Sequence, residues 1–285
     1  MNKVFVKTKN VKNFVSLMEE VKQLPNNIPK IILVYGEYGL GKSETIKWWT
    51  FKNDCIYVRA NQGMTSRWLL SEIAEELGEE PFWHIQETFN LIEKKLKENP
   101  KPIIIDEVDY LLERNTIETL RDLYDTTSCP LVLVGMGNID KKLSRYPHII
   151  DRIYKSFKFE RYDFEDVKQI LNELTQITFA PDGVEYLATR VNQFRQIVKS
   201  INKIEKLAIT NQLKQIDENL LKSSEDKTFS KDQKAEFTTI YCYLLRNLTH
   251  NTIAYNLNYK IAETLWRRKR EFKDLYYDLK MLVGA

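Results

Sequence analysis

Cysteine is nearly absent: Cys55, Cys129 and Cys242 are the only three in 285 residues. No two have a paired spacing, which excludes a disulfide framework and a cysteine zinc site. Histidine is as rare, and His84, His148 and His250 stand far apart with no ligand spacing. No set of carboxylates for two-metal chemistry, and hence no nuclease or transposase site, is visible. Long apolar runs are also missing. The longest are about five residues, far short of the roughly 20 that a membrane helix needs, so no membrane partner is expected. The stretch Met1-Asn2-Lys3-Val4-Phe5-Val6-Lys7 has no apolar core of the signal-peptide kind, and the cytoplasm is the expected address. Charge of one sign is not in excess either, since 43 basic and 40 acidic residues leave a net of +3. The remaining composition, 43% hydrophobic and 29% charged, is ordinary for a globular protein. A chain of 285 residues is long for one core, and two or three domains are expected.

The distribution of charge says more than its sum. Lys222 to Lys280 holds twelve basic and eight acidic residues, a net of +4 against +3 for the whole chain. Arg267, Arg268, Lys269 and Arg270 are consecutive within it. Such a cluster suits phosphate contact, and it suits a solvated helix face equally well.

What the chain does have is Gly36-Glu37-Tyr38-Gly39-Leu40-Gly41-Lys42-Ser43-Glu44, directly after the apolar run Ile31-Ile32-Leu33-Val34-Tyr35. Glycine, four residues, then Gly-Lys-Ser is the pattern of a phosphate-binding loop between a strand and a helix. The glycines let backbone N–H groups approach a β-phosphate. Lys42 would reach the β- and γ-phosphates, and the Ser43 hydroxyl would hold Mg²⁺. The alternative is a chance glycine-rich turn before a helix. ATP and Mg²⁺ are the expected cofactors.

A second strand carries chemistry: Pro102-Ile103-Ile104-Ile105-Asp106-Glu107-Val108-Asp109. A carboxylate at the end of a buried strand is held rigidly. Asp106 would hold Mg²⁺ through water, and Glu107 would orient or deprotonate an attacking water. An acidic pair favoured by a helix N-terminus is the alternative. Glu107 argues for hydrolysis in addition to binding. A third strand, Leu131–Val134, runs through Gly135 to Asn138, which fits a γ-phosphate sensor or a plain turn asparagine.

Strands and helices alternate as far as residue 160. A helix around Asn13–Leu24 ends before Pro25 and Pro29. The strand at 31–35 and a helix carrying Trp48 and Trp49 follow. A strand at Cys55–Ala60 and helices at Thr65–Leu77 and Phe89–Lys97 come next. The buried strand at 102–105, a helix at Ile117–Asp125 and the strand at 131–134 complete the pattern. Continuous apolar strands in this alternation predict an α/β fold, a parallel sheet with helices on both faces. After about Glu160 the strands are expected to stop, and helices at Phe164–Leu174, Pro181–Arg190 and Gln193–Asn211 form an all-α unit. Leu221–Lys231 is polar and reads as a linker. The expected division is an N-terminal extension at 1–30, a phosphate-loop domain at 31–160, a helical lid at 161–222 and a C-terminal helical segment at 232–285.

Together, these two nucleotide motifs, the strand ending in Asn138 and the helical unit behind them resemble an AAA+ ATPase. More narrowly, the chain resembles the phage Mu B and TnsC-like transposition ATPases over residues 4–220. The likeness rests on Ile104 to Leu111, Ile117 to Asp125, Leu131 to Gly135, Asp151 to Phe157 and the stretch Val6 to Val11. Origin-recognition ATPases share a similar Asp-Glu-Val-Asp. The resemblance implies a ring or helical filament in which one subunit completes its neighbour's site. Arg152 is the candidate for an arginine supplied in trans, with Arg145 the second choice; an ordinary surface arginine is the alternative for each. Arg195, after Asn192-Gln193-Phe194, stands where such ATPases place a second sensing arginine, and an exposed helix arginine fits there as well.

The resemblance weakens in the last segment. Lys234–Leu245 has amphipathic spacing, Asn251–Asn258 reads as a short helix, and Ile261–Leu279 as a longer one. The turn at Asn258 suits a helix-turn-helix, with Arg267, Arg268, Lys269 and Arg270 meeting DNA. One residue too many separates Leu257 from Leu265, and a three-helix bundle for oligomerisation or lid extension fits equally. The function implied is an ATPase that oligomerises with ATP on double-stranded DNA and presents it to a transposase. A replication initiator or helicase loader is the alternative within the same superfamily. A non-hydrolysing nucleotide switch that gates protein docking is the alternative outside it.

Overall fold

The computed structural model describes residues 4–25, 27–191, 193–210 and 215–225. In chain order the elements are α1 (Lys9–Lys22), β1 (Ile31–Gly36), α2 (Lys42–Lys52), β2 (Ile56–Arg59), α3 (Ser66–Glu76), α4 (Ile85–Glu98), β3 (Ile103–Asp106), α5 (Asp109–Leu112), α6 (Ile117–Thr127), β4 (Leu131–Met136), α7 (Ile139–Leu143), α8 (Pro147–Ile150) and β5 (Ile153–Lys158). After them come α9 (Phe164–Leu174), β6 (Thr178–Phe179), α10 (Pro181–Arg190), α11 (Phe194–Thr210), β7 (Gln215–Ile216) and α12 (Glu218–Glu225). The chain divides into two units at Leu221, within α12. Among the described residues, no helix is long and apolar enough to cross a membrane.

The first five strands form one parallel sheet in the order β2-β3-β4-β1-β5. Successive side chains of a strand point to opposite faces, and both faces are covered. Ile31, Leu33, Ile103, Ile105, Leu131 and Leu133 pack against α3, α4, α6 and α7. Their alternates Ile32, Val34, Ile104, Val132 and Val134 pack with Phe14 and Met18 of α1 and Ile46 and Trp49 of α2. That is why the central strands read as unbroken apolar runs. The edge strand β5 (Ile-Tyr-Lys-Ser-Phe-Lys) is mostly half-buried or exposed.

A third cluster, the lid, joins Val167, Ile170 and Leu171 of α9 to Leu187 of α10 and Ile197, Ile201 and Ile204 of α11. Val6, from the extended segment ahead of α1, packs in this same cluster. Strands do not stop at Glu160 as expected: β6 and β7 pair in parallel, two residues each, too short to show any periodicity. The linker expected from Leu221 is helical through Glu225 within α12, and its remainder lies outside the described residues. Helix α1 starts at Lys9, four residues ahead of expectation. Its first free N–H groups find partners far along the chain: Lys9 N–H donates to Asp166 Oδ1 at 2.8 Å. The side-chain amide of Asn10 exchanges hydrogen bonds with the Glu160 backbone. Helix α4 likewise starts at Ile85, ahead of the expected Phe89; Ile85, Gln86 and Glu87 are exposed and show no apolar period.

Candidate nucleotide site

The phosphate loop leaves β1 at Gly36 and enters α2 at Lys42. Two of its glycines are dictated by geometry. A Cβ at Gly36 would lie 2.7 Å from Phe159 O, a backbone contact that cannot yield. Gly41, the residue before α2, has φ +83°, a left-handed backbone that costs an L side chain roughly 1–2 kcal/mol. Lys42 turns its ammonium back into the loop and donates to Gly36 O at 2.7 Å and Glu37 O at 2.8 Å. Burial pushes the Lys42 amine below the usual lysine range, and the carboxylates of Asp106 and Asp109 oppose that shift. Ser43 follows in the first turn of α2, half-buried, and Glu44 beside it is exposed.

The lid and the chain leading to it brace the loop. The Tyr162 hydroxyl donates to Leu40 O at 2.7 Å, and burial pushes that phenol far above its ordinary range. A Cβ added at Gly39 would meet Gln193 Oε1 at 3.2 Å. Arg161 donates to the Glu37 carboxylate from Nε and Nη2, at 2.9 to 3.1 Å. Arg195 lies two residues beyond Gln193 in the first turn of α11, exposed. Asn192 lies outside the described residues.

Asp106 ends β3 and is 2% exposed. Its Oδ1 accepts the Glu107 N–H at 2.9 Å, and its Oδ2 accepts the Tyr57 hydroxyl at 3.1 Å. Burial first, and then the Asp106 charge, push the Tyr57 phenol well above its usual range, so it stays a donor. Glu107 has a left-handed backbone, φ 56°, the kind of strain that collects at functional sites. One of its carboxylate oxygens is held by Arg59 Nη2 at 2.6 Å. Asp109 is buried beneath them, accepting Met136 N–H at 2.8 Å and Lys142 Nζ at 2.9 Å.

Strand β4 lies between β1 and β3, and its carboxyl end closes the site from below: a Cβ at Gly137 would sit 3.6 Å from the Gly36 carbonyl carbon. Asn138, the next residue, is exposed ahead of α7. The phosphate loop, Asp106, Glu107 and the approach to Asn138 thus gather at the carboxyl ends of β1, β3 and β4. Arg152 does not join them. It precedes β5, whose Ile153 is in register with Ile31 at the amino end of β1. There it grips Asp125 with Nε at 2.7 Å and Nη2 at 3.0 Å, and donates from Nη1 to His148 O at 2.6 Å. Arg145 is exposed. Arg267, Arg268, Lys269 and Arg270, with the helix-turn-helix expected around them, lie outside the described residues.

The donor chemistry fits Mg²⁺ and a triphosphate. A hydroxyl at Ser43 and a buried carboxylate at Asp106 are hard oxygen donors of the kind Mg²⁺ takes. A cradle of backbone N–H groups with a lysine beside it suits an anion. Five contributors escaped sequence reasoning: Tyr57, Arg59, Arg161, Tyr162 and Gln193. The β2–β3 register pairs Arg59 with Asp106, so the strand order would have pointed to Arg59. Nothing local marks the others.

Residues 28–143 match a family described as AAA domain. A Staphylococcus aureus protein named "potential ATP-binding protein" is 38% identical over 69 residues, which span 24% of this chain and 25% of that protein's length. Among solved structures, the Aeropyrum pernix ORC2 protein in its ADPNP–ADP complexes superposes with a TM-score of 0.60 at 14% identity, covering 88% of this chain and 76% of that one. The Aeropyrum pernix ORC1 protein in complex with DNA gives 0.52 at 17% identity, over 87% of this chain and 70% of that one. These likenesses support the α/β fold of AAA+ P-loop ATPases. They do not single out the Mu B and TnsC-like branch.

Proposed function

On an AAA+ P-loop ATPase fold, we propose that this chain hydrolyses ATP with Mg²⁺ and assembles through it on double-stranded DNA. The observation that carries this reading is one cluster at the carboxyl ends of β1 and β3: the glycine cradle with Lys42, and the Asp106–Glu107 pair held by Tyr57 and Arg59. Gly36 to Glu44 would seat the triphosphate. Ser43 and Asp106 would hold Mg²⁺, which supplies charge neutralisation at the β- and γ-oxygens. Lys42 exchanges its two loop carbonyls for phosphate oxygens. Glu107 accepts a proton from water once Arg59 releases it. Asn138 and Arg195 would read the γ-phosphate from the same subunit.

Arg152 is out of reach of its own phosphate loop, at the other end of the sheet. It would act on a neighbour's nucleotide, with Arg145 the second candidate for that role. On this reading the site is completed between subunits, in a ring or helical filament. We assign DNA contact chiefly to phosphates, so affinity falls steeply with salt. The segment 232–285, with Arg267, Arg268, Lys269 and Arg270, is the proposed contributor beyond the lid.

Two finer readings have separate support. The motif likeness to transposition ATPases favours target selection, in which the ATP-bound assembly presents DNA to a transposase. The likeness to the Aeropyrum pernix ORC1 structure in complex with DNA favours a replication initiator or helicase loader. Steady-state phosphate release with and without duplex DNA tests the shared core. Strong DNA stimulation that disappears in Glu107→Gln supports it, and DNA-independent nucleotide binding without turnover leaves a pure switch. Competition between random and origin-like duplexes separates the two finer readings, since target selection expects little sequence preference.

A further inference from the structure

Two exposed aromatic patches lie on opposite faces of the sheet and carry opposite charge. On the α3–α4 face, Phe82 is 50% exposed, Trp83 77%, Trp68 41% and Ile85 45%. Aromatic surface of this kind is seldom left bare. The guanidinium of Arg67 lies 4.5 Å over the Trp83 ring, and between Ser66 and Thr88 there is no lysine and no other arginine. Six glutamates accompany it there, for a net of −5; Lys95 of α4 pairs with one of them, Glu79. A duplex of phosphates is repelled by that rim. A cationic apolar surface is attracted.

The face of α2 supplies one. Phe51, in its last turn, is 93% exposed. One turn earlier Trp48 is stacked by Phe5 at 4.5 Å, with the Lys52 ammonium 4.6 Å and the Lys7 ammonium 5.7 Å from its ring. Lys47 is exposed beside them. Because α2 packs on one sheet face and α3–α4 on the other, the two patches of a single subunit cannot meet.

We propose that these patches are the two halves of one heterologous interface between copies of this chain, Phe51 of one copy seating against Trp83 and Phe82 of the next. A contact between unlike surfaces repeats from copy to copy and gives a ring or an open helix. Which of the two forms depends on the rotation between copies. Phe51 lies toward the amino ends of the strands, where α2 leads into β2. Trp83 lies beside Arg67 at the start of α3, toward their carboxyl ends. Between copies whose strands run parallel, seating one against the other displaces each copy along the strands by about the length of α2, on the order of 15 Å at 1.5 Å per residue. The same displacement carries the amino end of one copy, with Arg152, toward the phosphate loop of the next.

The inference rests on the self-assembly proposed above, and not on which residues hydrolyse ATP. Two variants of the full chain test it: Phe82→Ser with Trp83→Ser, and Phe51→Ser with Lys52→Glu. All four residues lie outside the nucleotide site, and calorimetry with nucleotide and Mg²⁺ on each variant reports the fold and the loop independently. In sedimentation velocity with a non-hydrolysable ATP analogue and Mg²⁺, wild-type chain forms large species and each variant alone stays monomeric. An equal mixture of the two forms dimers and nothing larger, because each keeps one intact face. Variants that assemble like wild type, or a mixture that stays monomeric, overturn the interface while leaving the proposed function standing. Variants that assemble normally but lose retention of duplex DNA also overturn it, and reassign the patches to DNA. A wild-type chain that never assembles removes the self-assembly reading and the interface with it.

Discussion

Arg59 Nη2 lies 2.6 Å from Glu107 Oε1, so the proposed base of the hydrolysis is tied to the end of a neighbouring strand. A carboxylate oxygen that already accepts from a guanidinium at this distance is a poorer acceptor for water. On the proposed mechanism, the pair restrains Glu107 until Arg59 lets go. Arg59→Ala is expected to raise phosphate release in the absence of DNA several-fold. Glu107→Gln is expected to lower it by about 10²–10⁴, the usual worth of a positioned base. A fall in basal release with Arg59→Ala would instead make Arg59 the residue that orients Glu107.

Lys42 gives the pH dependence. Burial lowers its pKa in the free protein, whereas only the ammonium binds phosphate well. Nucleotide affinity is therefore highest below the Lys42 pKa. It weakens as pH rises through that value, earlier than for an ordinary lysine near 10.4. Lys42→Arg, always protonated, should flatten the alkaline limb in calorimetric titrations, and Lys42→Ala should remove binding at every pH.

Most of the sheet and the centre of the site were legible in the sequence because both are local. Ile31–Tyr35, Ile103–Ile105 and Leu131–Val134 are buried on both faces, so their composition alone declares them. The loop from Gly36 to Ser43 declares itself through the backbone conformation and charge it must supply. Arg59, Tyr57 and Tyr162 act through partners 48, 49 and 122 residues away. No window of sequence contains those pairs. The pair β6–β7 failed for the opposite reason, being too short to carry a period.

Tyr162 couples the lid approach to the loop by one hydrogen bond, its hydroxyl to Leu40 O. Tyr162→Phe keeps the ring and leaves that buried carbonyl unpaired, a loss of about 1–3 kcal/mol. At about 2–4 °C per kcal/mol for a domain of this size, the melting temperature should drop by several degrees in a thermal scan. Nucleotide affinity should fall with it, since the loop between Gly39 and Lys42 loses its brace. A variant with unchanged melting and unchanged affinity would show that the loop holds its shape without the lid.

The last carboxylate of Asp-Glu-Val-Asp is structural on this geometry. Asp109 satisfies Met136 N–H and Lys142 Nζ while its side chain is only 8% exposed. Removing the carboxylate leaves the Met136 N–H without its partner, a loss of roughly 1–3 kcal/mol, while Lys142, 43% exposed, turns to water. Chemical denaturation of Asp109→Ala should show a loss of that order. The double variant Asp109→Ala with Lys142→Met should show much the same loss, since the exposed Lys142 ammonium needs no partner.

Arg152 separates a catalytic role from a structural one. Its bidentate grip on Asp125 accounts for its place in the fold, and its position at the amino end of β5 denies it access to its own nucleotide. If it serves a neighbour, Arg152→Ala binds ATP normally but hydrolyses it about 10³–10⁵ times more slowly, the range for an arginine supplied in trans. Mixing that variant with Lys42→Ala should then restore turnover, because one partner contributes the nucleotide and the other the arginine. Asp125→Ala, which frees the guanidinium, should keep hydrolysis while losing the same stability as Arg152→Ala. Equal losses of stability in both variants with turnover untouched would leave the ion pair as the whole of Arg152's work, and Arg145→Ala in the same mixing experiment would then identify the trans-acting residue.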